Sequence, residues 1–199
     1  MNERRNYMRQ LMMIHRMETI DDYPVPEGWT VRNWREGEVE IWTRICENGL
    51  CGPDDGTFSS WKGSILGREA LVPERDIFFV CRENDIPEAT LTAYVHPDGV
   101  GDIHMVAAAP SIRGNNVGRV MLSVGMKKLD KEMTHRPRIT ELTTDDWRIP
   151  AIVGYLKAGF QPVEYDEGMV ERWTKICSDL NMHGIEMLTE QGEPTGIIL

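Results

Sequence analysis

Residues 106–119 read Val106-Ala107-Ala108-Ala109-Pro110-Ser111-Ile112-Arg113-Gly114-Asn115-Asn116-Val117-Gly118-Arg119, and the organisation of the chain follows from this run. Its first residues are small or β-branched and apolar, as in a strand, and Pro110 stops that strand because it has no N–H to give to a ladder. Gly114, Asn115, Asn116 and Gly118 tolerate left-handed or tight backbone geometry. Successive amide N–H groups can therefore turn into one concavity. A long amphipathic run starts directly afterwards, so the turn sits at a helix N-terminus, where orphan donors and the positive dipole end favour phosphate. Arg113 and Arg119 flank the turn with permanent charge and forked donors. The spacing is neither GxGxxG with its acid about 20 residues on nor GxxxxGK[ST], which disfavours a dinucleotide Rossmann site and a P-loop. On these residues alone, a pyrophosphate cradle and an ordinary helix start both stand.

Upstream of this run, three strands are expected in series, Ile77–Arg82, Ala89–Val95 and Asp102–Ala108. The turn-rich stretches NDIPE and HPDGVG separate them at hairpin-like lengths, which predicts an antiparallel meander. Before them come a strand over 29–34, a helix over 36–48 with Val39, Trp42, Ile45 and Cys46 on one face, and a short helix over 58–66. Downstream, a helix is expected over 117–134 with its apolar side changing around Gly125. A strand over 139–143 follows, then a helix over 150–158 opened by Pro150 and closed by Gly159, a strand over 160–165 and a helix over 169–181. A short hairpin around EQGEP ends the chain. This order predicts an α/β fold with a mixed sheet, antiparallel in its N-terminal half and parallel at the later crossover, with helices on both faces.

The partition expected is an N-terminal extension over 1–25, helical by the spacing of Tyr7, Met8, Leu11, Met12 and Ile14, a main domain over 26–166 and a C-terminal helix and tail over 167–199 packing on it. The extension reads either as a docked terminal helix or as a contact between two copies in a homodimer.

The 199 residues carry 22 Lys and Arg against 32 Asp and Glu, a formal charge of −10. That balance argues against a nucleic-acid partner, whose phosphates need a basic face. Residues 1–20 carry +2, 21–160 carry −6 and 161–199 carry −6, so the acidity is densest in the C-terminal stretch, while the sign reverses at Arg113 and Arg119. Cys46, Cys51, Cys81 and Cys177 are scattered without a second pair, and the five histidines lack ligand spacing, so no metal is expected and the cysteines read as reduced thiols. No apolar run approaches the roughly 20 residues of a membrane span, and a cytoplasmic protein without a membrane partner is expected.

Residues 113–118, Arg-Gly-Asn-Asn-Val-Gly, resemble the Q/R-x-x-G-x-G/A signature of the GNAT acetyltransferase superfamily, with Pro110 three residues before the arginine. Residues 148–160 are similar to the second signature of that superfamily, in which Ala151 is followed by Tyr155 and then by Gly159-Phe160. The resemblance covers residues 28–165. It departs at Asn116, which stands where the signature has its first glycine, and at residues 169–181, helical where the superfamily usually continues with a strand completing a hairpin.

The resemblance implies a GNAT-like sheet whose parallel strands splay at the cofactor site. It implies transfer of an acetyl group from acetyl-CoA, a cosubstrate used without a metal, to a primary amine of a small molecule or peptide by direct attack. Val106, Ala107 and Ala108 would pair with the pantetheine arm, and a backbone N–H near Val106 would polarise the thioester carbonyl. Arg113, Gly114, Asn115, Asn116, Val117, Gly118 and Arg119 would hold the CoA phosphates. Tyr155 matches the general acid that protonates the departing thiolate, and Asp102 or His104 is the candidate base for the amine. Asp145 and Asp146 read either as cation-binding groups or as a surface turn. A second reading is a catalytically inactive CoA-binding sensor or subunit, motivated by Asn116; a third is another phosphate ligand at the same turn.

Overall fold

The computed structural model of the protein describes residues 9–112, 114–134 and 138–199. In chain order the strands are β1 (Leu11–His15), β2 (Thr30–Asn33), β3 (Ile77–Arg82), β4 (Ile86–Val95), β5 (Gly101–Ala108), β6 (Thr140–Thr144), β7 (Gln161–Pro162), β8 (Ile185–Leu188) and β9 (Pro194–Ile198). The helices are α1 (Val39–Cys46), α2 (Ser59–Trp61), α3 (Pro73–Asp76), α4 (Val117–Glu132), α5 (Ile149–Lys157) and α6 (Met169–Asp179); α2 runs into one π-helical turn, Lys62–Leu66. The chain forms two compact units, Arg16–Glu141 and the remainder, residues up to His15 together with Leu142–Leu199.

In the unit Arg16–Glu141, β2, β3, β4 and β5 lie side by side and antiparallel, with Phe78 opposite Leu91 and Ala93 opposite Ile103. β5 then meets the start of β6 in parallel, so this unit carries the mixed α/β arrangement expected. Period-two alternation sorts the side chains between two helices. Leu91, Ala93 and Ile103 face α4, where Gly125 lies so close that a Cβ there would stand 2.7 Å from Leu91 Cδ2. Both apolar stripes of α4 are buried, Val117, Val120 and Met121 before Gly125 and Leu122, Met126 and Leu129 around and after it, so the buried side shifts near Gly125 as expected, and Val124 is half-buried. Tyr94 and Ala107 face the opposite way, into an aromatic core under α1. In that core Trp61 stacks on Trp34 with ring centroids 5.2 Å apart and meets Trp42 edge-on at 5.1 Å.

The other unit pairs β1 antiparallel with β7, Met13 opposite Pro162 and Ile14 opposite Gln161. The helical expectation for the N-terminal extension is corrected over residues 11–15; residues 1–8 lie outside the described residues. Leu11, Met13 and Ile14 are fully buried and Met12 is half-buried, so this short apolar run is covered on both faces, as a buried strand is. The strand expected over 160–165 is also shorter, because Pro162 has no N–H for a ladder. The next amides change partners, Val163 donating to Met12 (3.0 Å) and Glu164 to Leu188 (2.8 Å). β8 and β9 form the C-terminal hairpin, and α6 buries Met169, Trp173, Ile176 and Cys177. Phe160 sits between the rings of His15 (5.3 Å) and Tyr155 (6.0 Å). Gly159 is required here twice over, by its φ of +89° and by a would-be Cβ contact of 2.9 Å with His15 Nε2.

Among the described residues no helix is long and apolar enough to cross a membrane, and no group of three His, Cys, Asp or Glu side chains is placed to hold a metal ion. Cys46, Cys81 and Cys177 are buried free thiols and Cys51 is half-buried.

Candidate active site

The turn after β5 takes the conformation its residues suggested. Gly114 (φ +87°) and Asn116 (φ +58°) are both left-handed, and Asn116 is the residue from which α4 starts. Its carbonyl accepts the N–H groups of Arg119 (2.9 Å) and Val120 (3.2 Å). The N–H groups of Val117 and Gly118 precede the first intrahelical bond and have no partner inside the helix. A Cβ on Gly114 or Gly118 would meet nothing within 4 Å, so these glycines border open space in front of the first turn. Asn115 turns its side chain back, Nδ2 donating to the Ile112 carbonyl at 3.2 Å. Arg113 lies outside the described residues. Arg119 is half-buried, donates to the Tyr23 hydroxyl, and has its guanidinium carbon 4.9 Å from that ring's centroid.

Immediately before the turn, β5 carries a bulge. Thr92 lies opposite His104 but Thr90 lies opposite Ala107, so Met105 and Val106 together face one residue of β4, and Met105 takes a φ of +50°. The parallel ladder from β5 to β6 consists of Gly101 with Thr140 and Asp102 with Glu141. Ala109 donates to Glu88 on the β4 side at 2.7 Å, so strand alternation turns the N–H groups of Val106 and Ala108 to the opposite edge, beyond the end of that ladder. An extended, amide-bearing chain can add there as a strand does. The open helix start suits an anion such as a phosphate, and this strand edge suits an extended chain bearing amides.

A polar cluster occupies the α1-facing side of β4 and β5. Asp102, 7% exposed, accepts a hydrogen bond from the Tyr94 hydroxyl at 2.9 Å, and its Oδ2 lies 3.3 Å from His96 Nε2. Glu141 Oε1 is 3.9 Å from the same nitrogen. The bond to Asp102 holds the His96 imidazole above its ordinary range against the opposing effect of burial, and burial and the neighbouring carboxylate raise the Tyr94 phenol. His104 makes a 3.1 Å hydrogen bond to the Ser64 carbonyl in the π-helical turn. A carbonyl only accepts, so His104 Nε2 carries the proton and Nδ1 keeps its lone pair. Burial pushes this imidazole below its ordinary range, outweighing the nearby Asp102 carboxylate. The structure thus brings Asp102 and His104 onto one face, and adds Tyr94, His96, Glu141 and Ser64, which sequence reasoning missed. His96 was legible only as part of the turn HPDGVG; the register of β4 against β5 is what sets it beside Asp102.

Tyr155, on α5, is buried with 8% exposure, and burial raises its phenol to about 12 despite the lowering effect of Arg148. Asp145 and Asp146 both have cationic partners within their own unit. Asp145 pairs with Arg148 at 2.8 Å and accepts from Gln10, and Asp146 pairs with Arg172. Both aspartates are half-buried and lie at a turn.

Comparison with known proteins gives a consistent picture. A model of the acetyltransferase (GNAT) family matches residues 57–160. Mycothiol acetyltransferase of Thermomonospora curvata is 29% identical over 146 residues, 71% of this chain and 47% of that protein, so the chain spans about half the length of this curated relative. Among solved structures, a GCN5-related N-acetyltransferase from Sphaerobacter thermophilus is similar in fold, with a TM-score of 0.59, 19% identity and coverage of 77% of this chain and 49% of that one. One from Kribbella flavida gives 0.52, 18% identity, and coverage of 78% and 55%. With just over half its length matched by the family model, over a stretch that includes the β5 edge, the turn before α4 and Tyr155, the chain belongs to the GNAT acetyltransferase family.

Proposed function

We propose that the protein transfers an acetyl group from acetyl-CoA to a primary amine by direct attack, without a covalent enzyme intermediate. The observation that carries this reading is the continuity of the β5 edge with the open first turn of α4. Among the described residues, amides turned out from an extended strand lead into the first amides of a helix within about ten residues, and a thioester cosubstrate with both a pantetheine arm and a pyrophosphate matches that sequence of donors. Asn116 takes the backbone conformation a glycine would, so its presence in the signature is no argument for an inactive sensor.

Acetyl-CoA supplies the activated acyl group. The N–H of Val106 lies on the edge where it can donate to a developing oxyanion. His104 Nδ1 takes the proton of the attacking amine, the Ser64 carbonyl fixes the ring, and the charge of Asp102 stabilises the imidazolium that forms. Tyr155 gives its phenolic proton to the departing thiolate. A phenol at about 12 stays protonated throughout the neutral range and is available as an acid. The chain's charge of −10 favours a cationic acceptor, a small amine or a peptide amine.

Thermal unfolding with and without CoA tests the cosubstrate. A ligand at a hundred times its Kd adds about 2.7 kcal/mol to the folded state, which raises Tm by roughly 5–10 °C for a chain of this size. ATP and NAD at equal concentration should shift Tm far less. An equal or larger shift with either, and none with CoA, contradicts the reading.

A further inference from the structure

Tyr23 belongs to neither signature, and it lies in the segment that joins β1 to β2. Three contacts fix that segment along one stripe of α4, formed by positions 119, 123 and 127, spaced by four residues and therefore aligned on the helix surface. Asp22 pairs with Lys127, the Tyr23 N–H donates to Ser123 Oγ at 3.1 Å, and the Tyr23 hydroxyl accepts from Arg119. The segment thus runs from the middle of α4 toward its start and ends with a phenol against the guanidinium in the first turn.

Among the described residues no carboxylate forms an ion pair with Arg119. Its partner is the Tyr23 hydroxyl and the face of that ring, at 4.9 Å from the guanidinium carbon. A carboxylate in that place would cancel the charge of Arg119, whereas a phenol orders the side chain and leaves its charge in place for an anion. The oxygen of Tyr23 accepts the guanidinium N–H, which polarises its own O–H and makes it a stronger donor. That O–H sits at the same end of α4 as the N–H groups of Val117 and Gly118, which have no partner inside the helix.

We propose that Tyr23 is a phosphate-binding residue: its hydroxyl accepts from Arg119 and donates to a phosphate oxygen of CoA, completing the cradle from outside the family signature. This rests on the reading that the first turn of α4 binds CoA.

The test compares the wild type with Tyr23→Phe, which keeps the ring over Arg119 and removes only the hydroxyl. Calorimetric titration with CoA should show Kd raised about tenfold in Tyr23→Phe, the scale of one hydrogen bond to a charged group. With S-acetylpantetheine, which has no phosphate, as acyl donor to an amine the wild type accepts, KM should differ less than twofold between the two proteins. An unchanged Kd for CoA in Tyr23→Phe overturns the proposal. So does an equal loss with S-acetylpantetheine, which would mark Tyr23 as a structural residue. If the wild type itself fails to bind CoA, the underlying reading falls and the proposal with it, and that outcome is distinct from the first two.

Discussion

His104 Nε2 lies 3.1 Å from the carbonyl oxygen of Ser64, a bond that joins the bulged strand β5 to the π-helical turn after α2 and fixes which ring nitrogen is basic. A neutral, half-buried imidazole with Nδ1 unprotonated is a proton acceptor at neutral pH. His104→Gln keeps a side-chain amide that can still donate to Ser64 but has no basic nitrogen. It should lower kcat/KM by about 100-fold or more while CoA affinity stays within twofold. Steady-state kinetics alongside CoA titration checks this. A His104→Gln enzyme with wild-type kcat/KM would remove His104 from the chemistry and leave Asp102 as the base.

His96 makes stability depend on pH in a stated direction. Its imidazole is raised by the hydrogen bond to Asp102, with the charges of Glu141 and Asp98 acting in the same sense, beside the Tyr94 hydroxyl and near His104. A group raised on folding binds its proton more tightly in the native state. The stabilisation it gives is therefore full below its unfolded value of about 6.5 and is lost as pH rises through the higher folded value. The difference in Tm between wild type and His96→Gln should accordingly shrink as pH rises from 6 toward 9, which unfolding scans across that range would show. A difference that grows with pH would mean that the imidazole is bound neutral.

Gly125 marks where α4 approaches the sheet most closely. A Cβ there would lie 2.7 Å from Leu91 Cδ2, 3.1 Å from Ile103 Cδ1 and 3.3 Å from Ala93 Cβ. Gly125→Ala gains helix propensity of about 1 kcal/mol, and small shifts of Leu91 can absorb its methyl. Gly125→Val adds two further carbons against the same wall and should destabilise by about 2–3 kcal/mol. Urea unfolding of the two variants separates propensity from overpacking, with Val well below Ala.

Asn116 holds a left-handed φ of +58° at the start of α4, a conformation that Asn tolerates and β-branched residues resist. Asn116→Gly should leave CoA affinity within twofold. Asn116→Val forces the turn to rearrange and should weaken CoA binding about tenfold or more, with a loss of roughly 1–2 kcal/mol in stability. Equal affinities in all three proteins would show that the left-handed turn does not shape the cradle.

The strand meander of β3, β4 and β5, the turn at 114–118 and the long helix α4 were legible because their signals are local: alternation, Gly and Asn in a row, and an apolar face at helical spacing. What was not legible depends on pairing across the chain. Leu11–His15 carries five residues without turn signals on which helix and strand patterns agree equally well, and only its pairing with β7 makes it a strand. The helix expected over 169–181 is α6, legible from its own apolar spacing. The bulge at Met105 and Val106 has no sequence marker, yet it decides which amides of β5 face outward. Tyr23 and His96 escaped notice for a related reason: their partners are 96 and 6 residues away, and neither belongs to a motif.

Release of free thiol from acetyl-CoA in the presence of a panel of primary amines and peptide amines, in wild type and in Tyr155→Phe, measures the proposed reaction itself. The account predicts amine-dependent thiol release by the wild type, with mass spectrometry finding the acetyl group on the amine nitrogen, and a rate lowered about 100-fold in Tyr155→Phe with CoA affinity within twofold. A wild-type protein that binds CoA but releases no thiol with any amine, or a Tyr155→Phe protein as fast as the wild type, would contradict it.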